Sequence, residues 1–122
     1  MRLVGDNEDL SAGLLAAVEQ AESIIVETIG RECDALRSGR MLAARAIRTR
    51  LCDCAQLYIN TVNAARAALE TVADEYPDLY DKLEYRRAAF AALLRVEMAT
   101  LAAARARSES EMADAALLAK TA

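Results

Sequence analysis

The chain of 122 residues contains no histidine and no tryptophan, only one proline (Pro77) and only four glycines. Each shortage removes a class of protein. Without histidine there is no imidazole acid or base and no histidine-bound metal. The Glu-x-x-His pairs of di-iron carboxylate bundles therefore cannot be assembled. So few glycines and prolines cannot supply the turns of a β fold. Four tyrosines and one phenylalanine are the only aromatics, so a bulky aromatic core is excluded. No apolar run approaches membrane-spanning length. There is no glycine-rich phosphate loop and no nucleophile motif beside a base. No enzymatic activity and no cofactor are expected. An all-carboxylate metal site built from Glu32 and Glu97, which both fall on apolar stripes, is the one catalytic alternative. Pairing of each with a neighbouring arginine, Glu32 with Arg45 or Arg48, is the preferred reading, because a buried carboxylate needs a partner.

Three cysteines are an odd number, and Cys52 and Cys54 point in different directions on a helix. They read as small helix fillers rather than as a metal or redox site. Residues 1–10 are polar and acidic, unlike a signal or transit peptide, so the cytoplasm is the expected location. The net charge of −4, with no aromatics among the arginines, argues against nucleic acid as a partner.

What the chain does have is alanine, the strongest helix former, and long helical periodicity. Ala44, Ile47, Leu51, Cys54, Tyr58, Thr61, Ala65, Ala68 and Val72 step by three and four without a break. That spacing predicts one long helix with a seam for a partner helix. Leu14, Val18, Ala21, Ile25, Thr28, Glu32 and Ala35 form a second such stripe, and Leu79, Leu83, Phe90, Leu94, Leu101 and Ala104 a third. Asp6 or Asn7 offers an N-cap to the first helix, and Ser38-Gly39 offers it a left-handed stop. Pro77 opens the third. The expected fold is all-α: an elongated antiparallel three-helix bundle or coiled coil with helices at about 7–37, 41–75 and 78–107. Residues 108–122 are expected to form a mobile amphipathic tail. Ser108-x-x-Glu111 resembles a capping box that would open a separate tail helix, but the same residues could extend the third helix.

Folding back at Gly39 brings Ile25 level with about Cys54. It gathers Asp6, Glu8, Asp9, Asp74, Glu75, Asp78 and Asp81 at one end of a rod, and Arg31, Arg37, Arg40, Arg45, Arg48, Arg50, Arg105 and Arg107 at the other. The basic end could dock an acidic partner, including the chain's own Glu109, Glu111 and Asp114. Tyr76, Tyr80, Tyr85 and Phe90 are expected to close the rod around the Pro77 turn. Small core residues leave apolar edges that a second copy could cover, so a homodimer is an open expectation.

Glu27 and Glu32 near the end of the first helix, the turn Leu36-Arg37-Ser38-Gly39, and then Arg45, Arg48, Arg50 and Tyr58 on the second helix form a pattern that resembles the FlgN-type flagellar export chaperones. The resemblance covers about residues 14–71. It implies a small acidic cytoplasmic helical chaperone. Such proteins bind the C-terminal amphipathic helices of hook–filament junction proteins for type III export. The family uses its C-terminal segment for partner contact, sometimes through an aromatic. This chain has no aromatic after Ser108, which leaves capture to aliphatic residues. The candidate partner-binding residues are Leu94, Met98, Leu101, Met112, Leu117 and Leu118, with Leu94 and Leu101 also readable as core. The alternative is a helical scaffold or adaptor that self-associates and has no exported client.

Overall fold

In the computed structural model, the backbone is described for residues 3–121 and the side chains for residues 12–121. All regular structure among them is helical: α1 (Leu3–Arg37), α2 (Met41–Glu70) and α3 (Pro77–Thr121). Asp6 and Asn7 lie inside α1 rather than at its start. The side chains of Asp6, Glu8 and Asp9, assigned to the acidic end of the rod, fall outside the described residues.

The stop after α1 follows the expected chemistry. Gly39 takes φ 74°, where a Cβ would be strained. Its N–H reaches the Leu36 carbonyl at 3.2 Å and the Arg40 N–H reaches that of Ala35 at 2.9 Å, satisfying carbonyls that the helix end leaves bare. Gly30 sits mid-helix, and a Cβ added there would meet nothing within 4 Å. The two glycines should therefore respond oppositely to alanine. Gly39→Ala is expected to destabilise by about 1 kcal/mol or more, and Gly30→Ala to stabilise by up to about 1 kcal/mol. Urea denaturation of both variants checks the signs.

α2 ends earlier than the periodicity predicts, at Glu70 rather than near 75. Turns occupy 71–75, with Val72 N–H on the Leu69 carbonyl and Tyr76 N–H on that of Val72. The approach to Pro77 disfavours helix at Tyr76, and the chain must reverse there. α3 then starts at Pro77 and runs unbroken through 108–121. The Ser-x-x-Glu sequence caps nothing, since Ser108 lies inside the helix with its Oγ 3.4 Å from Met41 Sδ. No glycine and no second proline occurs after Pro77, so nothing stops the helix.

Contacts between α1 and α2 climb in one helix as they descend in the other. Glu32 meets Arg48, Thr28 faces Cys54 at 3.8 Å, and Val18 packs with Val62, Ala65 and Leu69. This register lies within one turn of the expected one. α3 descends along α2, with Ser108 on Met41, Phe90 on Tyr58 and Glu84 on Arg66. It ascends beside α1, with Arg86 on Glu22 and Arg105 on Glu32. α3 leans chiefly on α1.

Two apolar clusters fill the space between the helices. Val18, Val62, Ala65, Leu69 and Leu83 form one, toward the Pro77 turn. Ile25, Ile29, Leu36, Leu51, Phe90 and Leu101 anchor the other, toward Gly39. Tyr58 packs against both, its ring 5.0 Å from that of Phe90. Burial, with Glu22 nearby, raises the Tyr58 phenol above its ordinary pKa. The aromatics therefore do not close one end together, as their sequence positions suggested. Phe90 joins the middle of the core, and Tyr85 is exposed.

Candidate functional site

The apolar stripe of α3 is the starting point, because every proposed partner-binding residue lies on that helix. At about 100° per residue, Leu83, Phe90, Leu94, Leu101 and Ser108 share one side of α3, and it faces the other helices. Leu83 and Leu101 are wholly buried and Leu94 is half-buried against the cluster near Gly39. Leu101 is core and presents nothing to a partner. Met98 sits at the edge of the stripe and is just exposed.

Past Ser108 the situation changes. α1 has ended at Arg37 and α2 has begun at Met41, so α3 projects beyond them. Residues 109–121 are all exposed. Met112 continues the stripe in line with Leu94 and Leu101, accompanied by Ala115, Ala116 and Ala119, with no described helix over them. Leu117 and Leu118 do not belong to that line. They point roughly 140° and 120° away from Met112, in opposite senses. The six candidates thus separate into a core pair, Leu94 and Leu101, an edge residue, Met98, and a projecting segment with Met112 on one face and Leu117 and Leu118 on others.

The polar groups inside the helix junction are structural in geometry. Glu32 is fully buried. Arg105 grips its carboxylate with two bonds, at 2.7 and 2.8 Å, and Arg48 adds a third at 3.4 Å. Burial alone would raise the Glu32 pKa, but the two guanidinium groups outweigh it and hold the carboxyl below its ordinary value. The same bonds raise the Arg105 pKa. Of the two arginines anticipated for Glu32, Arg48 is present; Arg105, far away in sequence, dominates. A second cross-link joins Arg86 of α3 to Glu22 at 2.8 Å and Glu19 at 3.2 Å of α1. Glu22 Oε2 and Arg86 Nε have no hydrogen-bond partner among the described residues. Arg66 and Arg87 share Glu84.

Among the described residues no group of three metal-capable side chains comes together. No helix there is long and apolar enough to cross a membrane. Asp74, Glu75 and Asp78 are exposed at the Pro77 turn, and Arg37, Arg40 and Arg45 at the Gly39 turn. Glu109, Glu111 and Asp114 form no ion pair with those arginines among the described residues; Arg37 instead meets Asp34 at 3.6 Å.

The cysteines differ in access. Cys33 and Cys54 are buried and Cys52 is exposed, all as free thiols. Burial raises the Cys33 thiol pKa, with the nearby Arg37 opposing it, and a thiol is less reactive than its thiolate. Ellman's reagent at pH 8 is expected to find a single fast-reacting thiol in the folded protein and all three in guanidinium chloride. Cys52→Ser should remove the fast phase.

No family model, no curated protein and no solved structure matches this chain.

Proposed function

We propose that this chain is a non-enzymatic, cytoplasmic helical chaperone of the FlgN type, which holds an amphipathic helix of a flagellar hook–filament junction protein for type III export. In this reading the three helices make an elongated antiparallel bundle. Residues 1–107 are its body and residues 108–122 the arm that engages the client.

The observation that carries the proposal is the continuation of α3's apolar stripe beyond the helices that cover the rest of it. Met112, with Ala115, Ala116 and Ala119, offers an open helical ridge in line with a buried one. A client helix laid there would take the place that α1 and α2 occupy lower down. Methionine suits such a contact because its flexible thioether adapts to varied partners. Met98 would extend the contact along the edge of the body. The residue pattern shared with FlgN-type chaperones supplies the client's class. Binding rather than catalysis also fits a chain without histidine whose buried carboxylate is occupied by two arginines.

The test is titration with a synthetic peptide covering the C-terminal helix of a hook–filament junction protein from the same genome. Binding with a Kd on the order of 1 µM is expected. Met112→Asp should weaken it at least about tenfold, roughly 1.4 kcal/mol, without moving the thermal midpoint. Absence of binding, or binding indifferent to Met112→Asp, would overturn the proposal.

The second reading is a self-associating scaffold without an exported client. It is favoured by the exposure of Tyr85 and Val96 on α3. Light scattering with and without the peptide separates the two.

A further inference from the structure

Opposite its buried stripe, α3 carries a second one. Starting at Tyr85, steps of four and three alternate without interruption to Leu117: Tyr85, Ala89, Ala92, Val96, Ala99, Ala103, and so on. Every position on this path is exposed and none is charged. Tyr85 is 78% exposed, Val96 64% and Leu117 63%; alanine or serine fills the remaining steps. The next steps in either direction are Lys82 and Lys120, which end the pattern. This is a heptad seam. Tyr85 and Ala89 also border a groove with Leu15 and Glu19 of α1, and Ala103 one with Leu36 and Arg37, yet every seam position keeps an exposed surface. From end to end it is about 50 Å long at 1.5 Å per residue.

The charges beside the seam identify its occupant. Arg95 and Glu109 lie on one flank, Arg86 and Asp114 on the other, with Arg107 between the latter two. When two copies of α3 are laid antiparallel with Tyr85 of one against Leu117 of the other, every seam position is used. Val96 then faces Ala106 of the second copy, and Ala99 faces its Ala103. In that register Arg95 falls beside Glu109 of the second copy and Arg86 beside its Asp114, and twofold symmetry repeats both pairs. Lys82 falls opposite Lys120 of the second copy just past each end of the seam, where both are exposed and water screens the repulsion. A parallel pairing would instead set Glu109 beside Asp114 of the other copy, a repulsion made twice.

We infer that the outward face of α3, from Tyr85 to Leu117, is the interface of an antiparallel homodimer. The small residues let the two backbones approach closely, and the large ones at the ends lock the register. The seam engages on the order of 20 residues per copy, the scale of a standard specific interface. It also supports the projecting end of α3. A lone helical stretch of that length is marginal in water, but in the dimer Leu117 rests on the second copy's Tyr85. The inference does not depend on the client reading, since Met112 lies off this seam and stays open in the dimer.

Arg86 already binds Glu19 and Glu22. Arg95 has no ion pair among the described residues, so the pair it forms with Glu109 is the cleaner reporter. Within one chain these two are fourteen positions apart and cannot touch, so any coupling between them must be intermolecular. Light scattering with sedimentation equilibrium on the full chain should give twice the 13.2 kDa chain mass. Arg95→Glu alone and Glu109→Arg alone should each weaken dimerisation at least about tenfold, and the double variant Arg95→Glu/Glu109→Arg should restore it. Val96→Glu should give monomers that keep the helix content of the body by circular dichroism and lose at most that of residues 109–121. A wild-type chain that stays monomeric at high micromolar concentration would overturn the inference. So would a dimer indifferent to Val96→Glu, or single charge reversals that the double variant fails to rescue. Peptide binding by a monomeric chain would sink the dimer alone and leave the proposed function standing.

Discussion

Glu32→Ala is expected to lower the stability of the fold by about 3 kcal/mol. Removing one member of a buried ion pair costs roughly 3–5 kcal/mol because its partner is left uncompensated. Here the lower figure applies, since the Arg105 side chain is 26% exposed and that of Arg48 45%, so both can recover water. For a chain of this size the loss corresponds to a fall of roughly 10–15 °C in melting temperature. Replacing Glu32 and Arg105 together by leucine should cost much less than either single change, because the buried carboxylate leaves with its main partner and only the half-exposed Arg48 loses its pair. The pH dependence has a defined sign. The folded-state pKa of Glu32 lies below its ordinary value of 4.5. Its contribution is therefore fully present above about pH 4.5 and is lost as the pH falls through the lower, folded-state value. Glu32→Gln should flatten the stability profile in that acid range, as urea denaturation from pH 7 down to pH 3 would measure.

That carboxylate shows where sequence reasoning succeeds and where it stops. Its place on an apolar stripe marks it as a residue needing a partner, and the fold-back at Gly39 offers Arg45 or Arg48, of which Arg48 is the one it meets. The stronger partner, Arg105, comes from a helix whose packing direction no local signal encodes. The same holds for Arg86 and its two glutamates. Helix existence was legible because alanine bias and unbroken periodicity agree over long stretches. The Gly39 stop was legible because only glycine takes that φ at no cost.

The ends of α2 and α3 were read less well, each for a physical reason. Val72 continues the α2 stripe and is half-buried, so the pattern outlasts the helix; the turn reuses an apolar residue that periodicity alone assigns to α2. At Ser108 the reverse occurs. A capping sequence lies in a stretch with no conformational reason to stop, and its hydroxyl turns to Met41. The outward seam of α3 was in the sequence throughout. Alanine is helical filler as readily as interface, so its spacing meant little until α1 and α2 were placed on the other side. Once they are, the exposed apolar positions of α3 stand out as a second stripe running from Tyr85 to Leu117.

Leu101→Ala is expected to destabilise the fold by about 3 kcal/mol, while Met98→Ala should cost under about 0.5 kcal/mol. The two residues sit one helical turn apart on α3 and carry similar apolar volume, so the contrast isolates burial. Leu101 is wholly inaccessible, within the cluster that includes Ile29, Cys33, Leu36 and Phe90. Truncating it removes transfer energy and leaves a cavity, a combination that costs roughly 2–5 kcal/mol in well-packed cores. Small neighbours such as Ala35 and Ala44 have no reach to refill the space, which keeps the figure near the middle of that range. Met98 is 37% exposed, and a surface truncation away from caps and networks shifts stability little. Guanidinium denaturation gives both values. If Met98→Ala matched Leu101→Ala, the edge of α3 beside α2 would be as tightly closed as its centre, and Met98 could not serve as part of a client surface. If instead Leu101→Ala left stability unchanged but weakened peptide binding, α3 would be docked only loosely on α1. The body of the protein would then be the α1–α2 pair, with the whole of α3 acting as the binding arm.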